Sequence, residues 1–209
     1  MSQARANEKK IRALLSAHAC PVQFHEVRTR FLGNIASPTL GVSPIPMIQS
    51  LWGGNLPPID DVEAIRELLG ALLDGLWNPL TRHQEHGNPF RLLRASVPKT
   101  RAGVVALTLI RRQEVDGFVE GLFFGAAEVE LPPVASDALG TLGEMRAMIS
   151  ALHENTTDSK PATAEDIAAT FRNLHALSAV IEAEINRAVL DCTRARKALL
   201  ASLGPGTRH

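Results

Sequence analysis

The stretch "TAEDIAATFRNLHALSAVIEAEINRAVLDCTRARKALL", residues 163–200, decides the fold, because no proline or glycine interrupts it before Gly204. Thr163 and Asp166 have the spacing of a capping box, so we expect a helix to begin there. Small or apolar side chains then recur at alternating spacings of four and three, at Ile167, Phe171, Leu174, Ser178, Ile181, Ile185, Ala188, Cys192, Ala195 and Leu199. This spacing places them on one face of a long helix, as in a coiled coil.

The predicted helix is long for a chain of this size. It would measure about 57 Å at about 1.5 Å per residue. A compact domain of this length has a radius of gyration of only about 17 Å. We therefore expect the helix to break, to protrude, or to pack against a partner, such as a second copy of the chain. The candidate interface residues are Ile167, Phe171, Leu174, Ile181, Ile185 and Leu199.

Helical periodicity also dominates the rest of the chain. Helices are predicted at 8–18, 22–36, 45–52, 88–96, 102–125 and 137–152, with a loop at 126–136. A further helix begins at Asp60, which forms a capping-box pattern with Glu63, and is limited by Pro79. The β-branched run "VVALTLI" (104–110) leaves a strand as the alternative at that point.

These elements predict an all-α fold, a single helical domain with a long C-terminal helix. Residues 1–20 form an N-terminal helical arm and residues 21–152 form the core. Residues 153–162 are expected to be a polar linker, since "HENTTDSKPA" is the one extended polar stretch. Residues 163–209 then hold the long helix and a short tail.

The charge of the chain is balanced overall but not locally. Lysine plus arginine equal aspartate plus glutamate, at 22 each. No global field therefore attracts nucleic acid or an anionic membrane. Residues 82–112 are nevertheless basic and residues 114–154 acidic, and the simplest interpretation is that the two neutralise each other within the fold. The absence of tyrosine and the presence of only two tryptophans make an aromatic platform for nucleic acid or sugar less favourable.

The sequence predicts a cytoplasmic protein that does not cross a membrane. Cys20 and Cys192 are too few and too distant for a disulfide scaffold or a cysteine zinc site. The N-terminus is charged without a following apolar core, unlike a secretory signal. The longest apolar run, residues 104–110, is too short to span a bilayer.

Four residues are candidates for metal-dependent chemistry. Asp116 and Glu120 lie one helical turn apart, a spacing that lets two carboxylates share a proton or a metal. His83 and His86, on either side of Glu85, have a spacing compatible with chelation. Solvated side chains are the simpler explanation of both patterns, because acids at this spacing are common and no third ligand is identifiable beside the histidines. No cofactor is predicted. Phosphate-loop, dinucleotide, zinc-protease and nucleophile-elbow motifs are all absent.

Glycines recur every four residues in "DGFVEGLFFG" (116–125), at Gly117, Gly121 and Gly125. On a helix they form a stripe without side chains, which allows another backbone to approach closely. Each glycine costs a helix about 1 kcal/mol relative to alanine, so three of them indicate a packing requirement. A tight helix crossing is the main interpretation, and a ligand groove is the alternative.

Four short motifs occur in an order that resembles the YecA/YgfB-like family of helical bacterial proteins. They are "FLGNIASP" (31–38), "LWGG" (51–54), "LWN" (76–78) and "VDGFVEGL" (115–122), and the resemblance covers roughly residues 25–195. In that family a leucine-rich helix ends in Ser-Pro, a W-G-G corner follows, and a later helix carries a G-F-x-x-G core.

The resemblance implies roles for six residues. Gly117, Phe118 and Gly121 match the glycine core, and Trp52, Gly53 and Gly54 match the corner, where Trp52 would plug the core while the glycines turn the chain. A ligand-contacting loop is the alternative for this corner.

The chain departs from the family at two places. The family often has tryptophan at the position of Glu114. Some members also carry a C-terminal cysteine-rich zinc tail associated with protein export and translation, whereas this chain ends in "LGPGTRH" (203–209). Neither zinc nor those partners can therefore be carried over.

These observations favour a non-enzymatic interaction or regulatory protein, whose partner or second copy binds along the C-terminal helix. A metal-dependent enzyme using His83, His86, Asp116 and Glu120 is the first alternative. An anion- or nucleic-acid-binding protein using the basic segment 82–112 is the second.

Overall fold

The computed structural model describes residues 3–125, 128–158 and 163–203, which form helices and connecting loops with no strand among them. The all-α prediction is confirmed. The longer helices are α1 (Gln3–Ala17), α2 (Phe24–Ala36), α3 (Pro44–Ser50), α4 (Val62–Leu72), α6 (Arg101–Leu122), α7 (Pro133–Asp158) and α8 (Ala164–Ser202). Between α4 and α6 the chain forms a π-helical turn (Leu73–Trp77), the single turn α5 (Asn78–Leu80) and a 3₁₀ turn (Thr81–Gln84).

The long C-terminal helix is continuous and packs mainly on its own chain. Its N-terminus has the predicted capping box, in which the Thr163 hydroxyl accepts from the Asp166 N–H and the Asp166 carboxylate accepts from the Thr163 N–H. Four of the six candidate interface residues are buried in the hydrophobic core: Phe171, Leu174, Ile181 and Ile185. Ile167 is half-buried, and Leu199 is 43% exposed. From residue 197 to residue 203 every side chain is exposed, whereas Arg196 just before them still donates to the carbonyls of Ile35 and Ser37.

The crossing of α2 over α6 is the most extensive contact between two of the described helices, and it depends on glycine. A Cβ atom added at Gly121 would overlap the carbonyl oxygen of Arg30, and one added at Gly33 would overlap that of Phe118. At Gly117 the added atom would lie 2.8 Å from the carbonyl oxygen of Glu26. The predicted tight helix crossing is therefore confirmed for Gly117 and Gly121.

Gly125 does not belong to this crossing. The helix ends at Leu122, and Gly125 lies beyond it with a φ of +76°, the left-handed region that favours glycine. The strand alternative at 104–110 is wrong, because these residues lie inside α6.

The start of α4 and the effect of Pro79 also differ from prediction. The N-cap is Asp61, whose carboxylate accepts from the Glu63 N–H at 2.9 Å, rather than its equally suitable neighbour Asp60. Pro79 lies within the helical segment instead of ending it. Just before Pro79 the chain forms a π turn, in which the Asn78 N–H donates to the Leu73 carbonyl, five residues back instead of four. This local change in hydrogen bonding accommodates a proline, which has no N–H to donate.

The structure contradicts two predictions, the helix at 88–96 and the linker at 153–162. Residues 88–96 form no helix; their backbone bonds with side chains of other elements, as described below. Residues 153–158 are helical rather than a linker, because α7 continues to Asp158, and the rest of the predicted linker, 159–162, lies outside the described residues. Arg101 stabilises this helix end by donating to the carbonyls of Thr156 and Thr157.

The loop predicted at 126–136 is also too long. Helix α7 already begins at Pro133, a residue well suited to a first helical turn because its N–H group is not needed there. Residues 126 and 127 of that predicted loop lie outside the described residues.

We predict that Gly121→Ala destabilises the protein by about 1–3 kcal/mol, because the added methyl group overlaps backbone that cannot rotate away. Urea unfolding followed by circular dichroism measures this loss. The control is Gly140→Ala in the interior of α7, where nothing lies within 4 Å of the added Cβ atom. That variant should gain up to about 1 kcal/mol from helix propensity. Equal effects of the two substitutions would contradict the crossing.

Candidate functional site: a cationic cleft

A cleft of about 900 Å³ lies between α1, α2, the π turn and residues 91–94. Seven basic side chains line it and Glu8 is the one carboxylate in its described lining; the seven are Arg5, Lys9, Arg12, Arg28, Arg82, Arg91 and Arg94. Beneath these charges lies an apolar floor, whose buried members are Ile11, Phe24, Leu76, Leu80 and Leu92. We call this site the cationic cleft.

Some of the basic groups are paired, but positive charge remains in excess. Glu8 accepts from Arg12 at 2.9 Å, and Glu182 of α8 accepts from Arg91 at 2.9 Å. Two acids thus oppose seven bases. The whole chain has no net formal charge, so this excess is a local property created by the fold.

One wall of the cleft is the strap, residues 89–95, which has no regular secondary structure. Its backbone is held by side chains distant in sequence. Asn186 accepts from the Phe90 N–H at 2.7 Å and donates to the Phe90 carbonyl at 3.1 Å. Glu182 accepts from the Leu92 N–H at 3.0 Å. These bonds fix the strap to α8 at the point where Arg91 and Leu92 enter the cleft.

Glu114 of α6 provides the third attachment of the strap. Its carboxylate is 0% exposed, accepts from the Leu93 N–H at 2.8 Å and pairs with Arg111. Arg111 also donates to the Leu93 carbonyl at 3.0 Å and to the Ser178 hydroxyl at 2.9 Å. We call Glu114, Glu182 and Asn186 the clamp residues. At Glu114, where the resembling family often has tryptophan, this chain places a buried charge that holds the cleft wall.

Burial raises the pKa of Glu114, and the neighbouring Arg111 charge and the Leu93 N–H act in the opposite direction. The cost of removing the carboxylate from water is therefore the larger effect. Glu114 contributes to the position of the strap at the expense of some stability in its charged form.

Helix α1 forms the opposite wall, and the W-G-G corner holds its end. The Trp52 indole N–H donates to the His18 carbonyl at 2.8 Å, just after the last helical residue. Trp52 is half-buried against the core, and Gly53 and Gly54 turn the chain with φ of +80° and +110°. The predicted packed corner is present, and the structure adds a role in positioning the cleft wall.

Arginine side chains cover the aromatic rings at the cleft. The Arg12 guanidinium lies 4.3 Å from the centroid of Phe24, and that of Arg28 lies 4.9 Å from the centroid of Phe90. Burial lowers the pKa of Arg28, while the Glu114 charge raises it. A guanidinium stays protonated in proteins, so Arg28 supplies a permanent, partly desolvated positive charge.

The four metal candidates are not brought together. Asp116 pairs with Arg146, and Glu120 pairs with Arg30, beside a separate groove of about 400 Å³ between α6 and α7. His83 lines the cationic cleft with Nδ1 2.7 Å from the Asn88 carbonyl, and His86 is exposed in the following turn. Within the described ranges no three His, Cys, Asp or Glu residues are grouped as metal ligands.

The predicted basic segment 82–112 is divided between several environments. Arg82, Arg91 and Arg94 line the cleft, whereas Arg111 is buried in its ion pair and Arg101 contacts the end of α7. The four remaining basic residues of the cleft, Arg5, Lys9, Arg12 and Arg28, were not among the sequence candidates. A signal for three of them was present, since spacings of four and three place Arg5, Lys9 and Arg12 on one helix face.

Comparisons with protein-family models, with curated proteins and with solved structures found no match. None of the described helices has the length and apolar character needed to cross a membrane. The chain is therefore characterised by its own structure, as an all-α protein with a cationic cleft.

We predict that Glu114→Gln changes how stability depends on pH. The folded pKa of Glu114 lies above its ordinary value of 4.5, so the folded state binds this proton more tightly than the unfolded state. The contribution of Glu114 to stability is complete below pH 4.5 and is lost as the pH rises through the folded pKa. Wild type should therefore lose stability relative to the variant over that interval, as measured by urea unfolding at a series of pH values.

The control for this pH experiment is Glu144→Gln, which alters an exposed glutamate on α7. Its unfolding free energy should follow the wild-type pH dependence throughout. Parallel curves for wild type and Glu114→Gln would show that the buried carboxylate does not titrate differently in the folded state.

We predict that Trp52→Phe loosens the end of α1, because phenylalanine retains an aromatic ring but lacks the indole N–H. The lost hydrogen bond should reduce stability by about 1 kcal/mol. Hydrogen–deuterium exchange should be faster in the last two turns of α1 than in wild type, while the middle of α8 changes less. Unaltered exchange in α1 would contradict the proposed attachment.

Proposed function

We propose that this chain is a non-enzymatic interaction protein that binds an anionic ligand in the cationic cleft. The observation that carries the proposal is the convergence of seven basic side chains, opposed within the described lining by Glu8 alone. They come from α1, α2, the 3₁₀ turn and the strap, so the fold concentrates charge that the sequence spreads over about ninety residues.

The geometry favours attraction of anions. Charges of one sign along a cleft with low-dielectric walls focus the field and raise the local concentration of oppositely charged ligands. Arg28 is partly desolvated, so water screens its charge less than it screens the charges of the exposed rim. The apolar floor adds contact area beneath the charged rim.

The groups in the cleft support binding rather than catalysis. Its described lining contains no serine, threonine, cysteine or aspartate. His83 is the residue there that titrates nearest neutral pH, and burial lowers its pKa, which favours the neutral ring. Its Nδ1 is already bonded to the Asn88 carbonyl, so the ring serves to position the turn before the strap.

Membership of the YecA/YgfB-like family and a cytoplasmic location are parts of the same proposal. The W-G-G corner at 52–54 and the crossing at Gly117 and Gly121 support the former. The free thiols of Cys20 and Cys192 fit a reducing compartment. Self-association along α8 has support only at its last turns, where Leu199, Leu200 and Leu203 are exposed.

We predict that reversing two rim charges, in the double variant Lys9→Glu with Arg94→Glu, weakens anion binding. Isothermal titration with an oligoglutamate of about 12 residues should show a dissociation constant raised at least about tenfold. Binding by wild type should weaken as salt is added, because these side chains are exposed to solvent.

The matched control is Lys99→Glu with Arg172→Glu, which makes the same charge change at exposed positions outside the cleft lining. It should leave the dissociation constant within about twofold of wild type. Equal weakening by both double variants would place the attraction in the whole-chain charge and contradict the cleft as the binding site.

A further inference from the structure

The arrangement of charges in the cleft indicates which class of anionic ligand it binds. Arg5, Lys9 and Arg12 lie along one face of α1, and the seven-residue separation of the first and last corresponds to about 10 Å of helix. Arg91 and Arg94 lie across the cleft on the strap. Five of the seven positive charges thus lie along two facing walls of the cleft, as two lines of bases, and this arrangement suits several separate anionic groups along a chain.

The cleft favours a ligand that can also make apolar contacts, because its lining presents more apolar than polar surface. Half-buried Leu93 is its most accessible leucine, whereas Ile11, Leu76 and Leu80 are at most 6% exposed and form the base beneath it. A purely polar polyanion would lose water from its charged groups over this surface without gaining hydrogen bonds. A ligand with apolar side chains between its anionic groups would bury carbon against carbon.

The aromatic rings near the cleft are poorly placed to stack on nucleobases. Arg12 covers Phe24, the one Phe, Trp or Tyr of the described lining, and Arg28 covers Phe90 of the strap. Proteins that bind single-stranded nucleic acid usually combine a basic groove with free aromatic faces. The cleft provides the charge without the stacking surface, so carboxylates on a peptide fit it better than a nucleic acid.

We infer that the occupant of the cleft is an acidic amphipathic segment of a partner protein, with glutamate or aspartate facing the two lines of bases and leucine-like side chains on the floor. This inference rests on the proposed function and specifies its ligand. A helix carrying acids at spacings of four and three matches the spacing of Arg5, Lys9 and Arg12 on the facing wall.

The test compares three probes on the wild-type protein by isothermal titration. The first is an amphipathic peptide of about 14 residues with glutamates on one face and leucines on the other. The second replaces each leucine by serine at the same charge, and the third is an oligothymidylate of equal charge. The inference predicts that the first probe binds at least about tenfold more tightly than either of the others.

The variant Leu93→Ser, which removes apolar surface from the cleft, should weaken the first peptide more than the second. The control is Leu69→Ser, a half-buried leucine of α4 that does not line the cleft. Circular dichroism of both variants verifies that the fold is retained, and the comparison of probes on wild type does not depend on them.

The outcomes distinguish the inference from the proposed function. Equal affinity for the leucine and serine peptides would overturn the amphipathic ligand and leave an anion-binding cleft. Tighter binding of the oligothymidylate would overturn it in favour of nucleic acid. If none of the three probes bound, the proposed function itself would be wrong.

Discussion

The site depends on one constraint: the backbone of the strap has no secondary structure to supply its hydrogen-bond partners. Residues 90, 92 and 93 belong to neither a helix nor a sheet, so their N–H groups need partners from elsewhere. The clamp residues supply them from two helices. A buried N–H without a partner costs about 1–3 kcal/mol, whereas a hydrogen bond to a charged acceptor contributes about 1.5–3 kcal/mol. The Leu93 N–H thus has a charged acceptor in Glu114, although burial of this carboxylate costs more free energy than its contacts return.

The glycine crossing and the clamp are two parts of one arrangement. Gly117 and Gly121 allow α2 to approach α6 closely, and Glu114 lies one turn before Gly117 and two turns before Gly121 on the same helix. Arg28 on α2 is near enough to Glu114 for the carboxylate to raise its pKa. The close crossing therefore brings Arg28, a cation of the cleft, near the carboxylate that secures the strap. The glycine crossing, which the sequence indicates only as a packing feature, therefore also positions the charged groups of the site.

The helices could be predicted from the sequence because their signals are local. The spacing of Phe171, Leu174, Ile181 and Ile185 determines the buried face of α8, and the glycine repeat indicates the crossing. The strap could not be predicted in this way. The residues of "NPFRLLRAS" (88–96) have helical spacing, and two of their actual partners, Glu182 and Asn186, lie 90 and 96 positions further along the chain. The cleft likewise arises from α1 and the strap meeting in space, while the basic segment alone indicated residues such as Arg111 that the fold buries.

The placement of the two tryptophans has an optical consequence. The chain has no tyrosine, so its intrinsic fluorescence comes almost entirely from Trp52 and Trp77. Trp52 is half-buried and bonded to the end of α1, while Trp77 is 7% exposed in the π turn, with its ring 5.2 Å from that of Phe31. A displacement of α1 would move the indole of Trp52 into water and shift its emission to longer wavelength, while Trp77 would still emit from an apolar environment. The protein thus carries one natural fluorophore at the end of the helix that lines its cleft, and a second in its core that serves as an internal reference.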